Sequence, residues 1–204
     1  MKLAIAAVSA LTLISAAGAN AAVASYDFES GTIGDVSLAG PLAPLGVTSS
    51  TITGATGGIQ GVYNNGGSNP NASFGNKSFA IGNAGTWTLV FGGSGVSSLS
   101  LAFNETETAG FVAHVYDLAG TTILQTLNIN GGGANSVGTM SFTGLGAIGK
   151  FEITDVFDGA HPQGDNVQLD NLSVNTITGI PEPSTYMMIG SALAGLAAFR
   201  RRRA

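Results

Sequence analysis

The chain has 204 residues, with 7 Lys or Arg against 12 Asp or Glu, a formal net charge of −5, 31 glycines and no cysteine. A charged fraction of 9% beside 44% apolar residues excludes a charge-driven disordered chain, the glycine content argues against helices, and the lack of cysteine excludes disulfides, thiolate metal cages and a cysteine nucleophile. Five of the seven cationic residues sit at the chain ends, so residues 22–178 hold only Lys77 and Lys150 against eleven acids, a charge of −9 that repels nucleic acid.

Lys2, the apolar stretch Leu3–Ile14 and the small residues Ser15–Ala24 are the three parts of a secretory signal peptide. The small-x-small rule places cleavage after Ala21, with Ala24 as the alternative; signal peptidase is therefore an expected processing partner, and residues 1–21 the expected leader. A retained membrane helix is the other reading, but the apolar stretch falls short of the roughly 20 residues that span a bilayer.

Residues 22–178 read as one all-β domain. In Tyr26–Gly31, strand alternation puts Tyr26 and Phe28 on one face and Asp27 and Glu29 on the other. Ile59–Asn76, with the run Asn64-Asn65-Gly66-Gly67-Ser68-Asn69-Pro70-Asn71, lacks strand character and reads as a long surface loop. Period-two alternation then marks Thr86–Phe91, with Trp87, Leu89 and Phe91 on one face, and Ser98–Phe103, with Leu99 and Leu101. Phe111–Tyr116 alternates with apolar residues on both faces, Asp117–Gly120 is the expected turn, and Thr121–Ile129, Val137–Phe142 and Lys150–Val156 continue the series. No helical stripe appears between residues 22 and 178. The expected fold is an antiparallel β-sandwich of jelly-roll type.

In Val167–Val174, Val167 and Leu169 share one parity while Leu172 and Val174 take the other. The period slips at Asp170-Asn171, as it does in a β-bulge, which would re-aim the Asp170 side chain.

Few constellations carry chemistry. Glu105 and Glu107 are a nominal acid and base for a glycosidase, although the cleft-spanning separation such a pair needs is not a sequence property, and the plain reading is a solvated loop. Asp155, Asp158 and Asp165 form an acidic loop that a second cation would suit. His114 and His161 have no Ser, Asp or zinc-ligand partner at motif spacing. Trp87 reads as core, which leaves Tyr63 and Tyr116 as the aromatic candidates for stacking on a sugar.

Asp27-Phe28-Glu29-Ser30-Gly31 and Leu169-Asp170-Asn171-Leu172 resemble the terminal strands of carbohydrate-binding-module jelly rolls. That resemblance implies a structural Ca²⁺ shared by the first and last strands, with Glu29 and Asp170 as side-chain ligands and Asp27 as a third. Hard Ca²⁺ takes six to eight oxygens, which an acidic chain supplies. The alternative is that Asp27 and Glu29 are solvated edge residues and Asp170 bonds a turn.

At the C-terminus, Ile180-Pro181-Glu182-Pro183-Ser184-Thr185 precedes the apolar segment Tyr186–Phe199 and the block Arg200, Arg201, Arg202 and Arg203. Cationic residues after an apolar segment stay cytoplasmic. As a helix the segment is roughly 21 Å long at about 1.5 Å per residue, a marginal span of about 30 Å of hydrocarbon. Pro181 and Pro183 keep the preceding residues extended and accessible. Gly190 with Ala194, and Ser191 with Gly195, give a helix face that a second membrane helix can approach closely.

These residues resemble the PEP-CTERM sorting signal of Gram-negative bacteria. The resemblance implies a sorting signal at 179–204 with a transmembrane helix at 185–199, recognition by a membrane-embedded exosortase, transient anchoring in the inner membrane, and release to the cell surface or exopolysaccharide matrix. The alternative is a permanent single-span anchor. The expected function is an exported, non-enzymatic surface or matrix protein, with a glycan-binding module acting on exopolysaccharide, or a polysaccharide hydrolase or lyase, as the other readings.

Overall fold

A computed structural model describes residues 22–64, 74–105, 110–129, 136–156 and 167–177. The expected signal peptide, the C-terminal segment with the helix expected at 185–199, Glu107, Asp158, His161 and Asp165 lie outside the described residues. One unit spans Ala21–Ile177.

Thr86–Phe91 shows how alternation becomes structure: Trp87, Leu89 and Phe91 are buried and the residues between them are half-buried. The strands are β1 (Ala22–Tyr26), β2 (Val47–Thr53), β3 (Gly57–Asn64), β4 (Lys77–Asn83), β5 (Thr86–Phe91), β6 (Val96–Glu105), β7 (Phe111–Tyr116), β8 (Ile123–Ile129), β9 (Ser136–Ile148), β10 (Lys150–Asp155) and β11 (Gln168–Thr176). One sheet has the order β3-β4-β11-β6-β9, with β1 also pairing with β11; the other has the order β2-β5-β10-β7-β8. Every ladder is antiparallel. The fold is an all-β, two-sheet, jelly-roll-like sandwich. Among the described residues no helix is long and apolar enough to cross a membrane.

The inward side chains form one core. Phe79 of β4 meets Trp87 of β5 across the sheets at 4.6 Å between ring centroids, Trp87 meets Phe151 at 6.2 Å, and Phe151 meets Phe142 of the first sheet at 6.0 Å. The Trp87 indole N–H donates to Ser50 Oγ at 3.0 Å, so the one polar atom of that ring enters the core satisfied.

Two expectations need correcting. Ile59–Asn76 is not one loop, because Gly57–Asn64 is β3 and Lys77 opens β4. Its strand character was hidden by glycine: Gly58 and Gly61 have φ of 75° and 87°, and the register shifts between Gly57 and Gln60. A Cβ at Gly61 would also collide with the backbone of Asp35, whose carbonyl accepts the Val62 N–H. The alternation read through Tyr26–Gly31 also stops early. β1 ends at Tyr26, and Phe28 takes a left-handed φ of 60° to enter the core, which puts Asp27 beyond the strand and Glu29 in the turn at 28–31.

Candidate functional site

The last strand organises the site. β4 pairs with β11 at Gln168 and Leu169, and β1 pairs with the same edge of β11 from Leu172 to Thr176. Two strands thus meet end to end along one neighbour, and the gap between them falls at Asp170-Asn171. The β11–β6 ladder shifts register between Asp170 and Ser173, and Asn171 has a φ of 52°. The bulge read from the parity slip is therefore present, and it lies where β1 ends and β4 begins.

Asp27, Glu29 and Asp170 converge on this junction. Asp170 is buried, with Oδ1 accepting the Asn171 N–H at 2.7 Å and Oδ2 accepting the Gly75 N–H at 3.1 Å. Glu29 Oε1 accepts the Lys77 backbone N–H at 2.8 Å, and Asp27 Oδ1 accepts the Glu29 N–H at 3.2 Å. Burial pushes the Asp170 carboxyl up to about 6; the two N–H bonds pull against that, and the charges of Glu29 and Asp27 add to it.

A calcium ion at this point would need the carboxylates together with backbone carbonyls. The oxygen chemistry is suitable, but the carbonyls are already engaged. The Lys77 ammonium donates to Glu29 O and to Gly31 O, each at 2.9 Å. Among the described residues no group of three or more Asp, Glu or His is arranged to hold a metal ion. The arrangement fits the Lys77 ammonium bonded to two turn carbonyls better than a resident divalent ion.

A second polar constellation lies on the outer face of the other sheet. Phe111, Ala113 and Val115 face the core, leaving Val112, His114 and Tyr116 outside and half-buried, so β7 is fully covered on only one face. The Tyr116 hydroxyl donates to Glu152 Oε2, Lys150 pairs with Glu152 Oε1 at 3.3 Å, and the Lys150 ammonium lies 3.7 Å from the Tyr116 ring centroid. His114 Nδ1 shares a hydrogen bond with Thr126 Oγ1 at 2.9 Å. Burial opposes the charge on Glu152, but the bonds from Tyr116 and Lys150 outweigh it and hold its pKa below the usual value. The Tyr116 phenol is pushed up to about 12 by burial and then by Glu152.

The remaining candidates among the described residues are strand positions. Trp87 is core, as its parity indicated. Tyr63 is half-buried on β3, burial raising its phenol while Ser78 acts in the opposite direction. Asp155 is buried and accepts the Ala84 N–H at 2.9 Å, which holds the β4–β5 turn. Glu105 closes β6. Lys77 and Lys150 were read only as sparse cations; their roles depend on long-range pairing that no local motif announces.

Fold and site together define a jelly-roll-like β-sandwich module with an acidic strand junction. The chain carries a sorting signal beyond it: residues 179–203, which include Pro181, Glu182, Pro183 and Arg200–Arg203, match the PEP-CTERM protein-sorting motif. No curated protein matches the chain. Among solved structures, it is similar to the K2 cleaved adhesin domain of Lys-gingipain, with a TM-score of 0.51 at 12% identity over 76% of this chain and 98% of that one. Looser superpositions relate it to CBM35 from Paenibacillus barcinonensis (TM-score 0.34, 13% identity, 75% and 98% covered) and to a family 29 carbohydrate-binding module (0.32, 12%, 53% and 75%). At these identities the likeness is one of fold.

Proposed function

We propose that the chain is an exported, non-enzymatic surface protein whose β-sandwich is delivered, and then released into the extracellular matrix, through its C-terminal sorting signal. The sorting motif at 179–203, which follows β11 in the chain, carries this reading. In this reading exosortase and signal peptidase act on the two ends, the segment 185–199 anchors the chain transiently in a Gram-negative inner membrane, and exopolysaccharide surrounds the product.

The fold supports cleavage after Ala21 over Ala24. Ala22 pairs with Thr176 and Ala24 packs against the core, so the later cut would remove three of the five residues of β1. The same pairing brings the two ends of the sandwich out side by side, five residues before Pro181 on the C-terminal side. A non-catalytic role is supported by how the described carboxylates are used: Glu29, Asp117, Glu152, Asp155 and Asp170 all accept hydrogen bonds that hold turns, strands or the junction. Replacing Pro181, Glu182 and Pro183 with alanine tests the sorting step. The variant is expected to stay in the membrane fraction with its tail uncut; release equal to that of the wild type would refute it.

A second reading, a glycan-binding module, is favoured by the outer face of β7 and β10. There Tyr116, His114, Lys150 and Glu152 offer a ring beside interlinked donors and acceptors. Retention of the protein on immobilised exopolysaccharide from its host, lost in Tyr116→Ala, would support it; equal elution of both in the flow-through would refute it.

A further inference from the structure

The Lys77 side chain enters a setting built from oxygen. Residues 28–31 form a tight turn closed by the Gly31 N–H donating to Phe28 O at 2.9 Å, and Phe28 at its first position is locked into the core against Tyr26, Phe79 and Trp87 at 5.0, 5.7 and 6.4 Å. A left-handed phenylalanine is strained, and the buried ring holds it there. The turn presents the carbonyls of Glu29 and Gly31 to one point, and the ammonium of Lys77 occupies that point. The same residue donates its backbone N–H to the Glu29 carboxylate, so Lys77 engages the turn through both main chain and side chain. Gly75 completes the enclosure: it donates to Asp170, and a Cβ there would overlap the Glu29 carboxylate.

We propose that Lys77 is a built-in cation that holds the turn after β1 to β4 in place of a divalent ion, so this junction needs no metal. Three carboxylates gather at the junction, and the only other cation of residues 22–178, Lys150, is engaged with Glu152 and Tyr116 on the other sheet. An ammonium is a compact point charge with three donors on a flexible stem, suited to bonding two carbonyls. The two turn carbonyls that a divalent ion would need are the ones the ammonium takes.

The experiment compares wild type with Lys77→Met, an uncharged side chain of similar shape, in the chain as its host exports it. Melting temperature is read at pH 7 in EDTA and in millimolar CaCl₂, and calcium binding by titration calorimetry. Wild type should melt at the same temperature in both and show no binding heat. Lys77→Met should melt roughly 5–10 °C lower than wild type in both buffers. A wild-type melting temperature that falls in EDTA and returns with calcium would overturn the proposal. So would a Lys77→Met protein that melts like wild type, or one that stays unfolded in both buffers.

Discussion

Asp170 should make the protein less stable as pH rises through the weakly acidic range. Its carboxyl is buried at the bulge and moved from 3.8 to about 6, burial being the largest cause. Because the folded value lies above the unfolded one, the native state holds this proton more tightly between about pH 4 and 6. The resulting stabilisation is complete below about pH 4 and lost as pH rises through about 6. A shift of about two units corresponds to about 3 kcal/mol at about 1.4 kcal/mol per unit. For a domain of this size that is roughly 6–12 °C in melting temperature. Asp170→Asn removes the titration while keeping the shape. The difference between the two proteins reports Asp170 together with its coupling to Glu29 and Asp27. Trp87, the sole tryptophan and fully buried, reports unfolding by fluorescence in urea at pH 4.5 and 7.5. Asp170→Asn should gain about 2 kcal/mol relative to wild type between the two pH values, part of the effect being already lost at about pH 4.5. A difference that is the same at both would refute the buried, carboxylate-flanked position of Asp170.

Other substitutions probe the rest of the frame. Tyr116→Phe should flatten the alkaline limb of the stability profile, because the wild-type phenol is raised to about 12 and its contribution is lost as pH rises above the unfolded value near 10. Glu152→Gln should flatten the acid limb in urea unfolding, since a lowered folded pKa gives stability that is lost as pH falls below about 4.5. Gly149→Ala should cost about 1–3 kcal/mol in chemical denaturation, because a Cβ there meets the backbone of Asp117 and Leu118 at 2.5–2.6 Å. Trp87→Ala, followed by circular dichroism, should cost about 3–5 kcal/mol and leave Ser50 Oγ without its partner.

Strands whose inner face alternates cleanly were legible from sequence. Thr86–Phe91 and Phe111–Tyr116 match β5 and β7 residue for residue, and the parity slip at Asp170-Asn171 marked the bulge because a bulge is a shift in period. β3 was not legible, since Gly57, Gly58 and Gly61 carry no side chain to alternate and two of them bend the backbone. β4 was missed for another reason: its residues from Ser78 to Asn83 are buried on both faces, which removes the apolar–polar contrast. The junction was half legible. The acids at both ends of the domain announced themselves, whereas Lys77 stands alone in sequence and acquires its role only when β4 abuts β1. The left-handed turn at Phe28 was equally hidden, because a core position and an alternating strand both ask for an apolar residue there.

Intact mass of the protein recovered from its native host, taken separately from membrane and medium, tests the sorting claim most directly. Released protein should begin at Ala22 and lack Arg200–Arg203, while any membrane-bound precursor retains them. Recovery of every molecule, in both fractions, with the four arginines still attached would mean a permanently anchored domain and would contradict sorting and release.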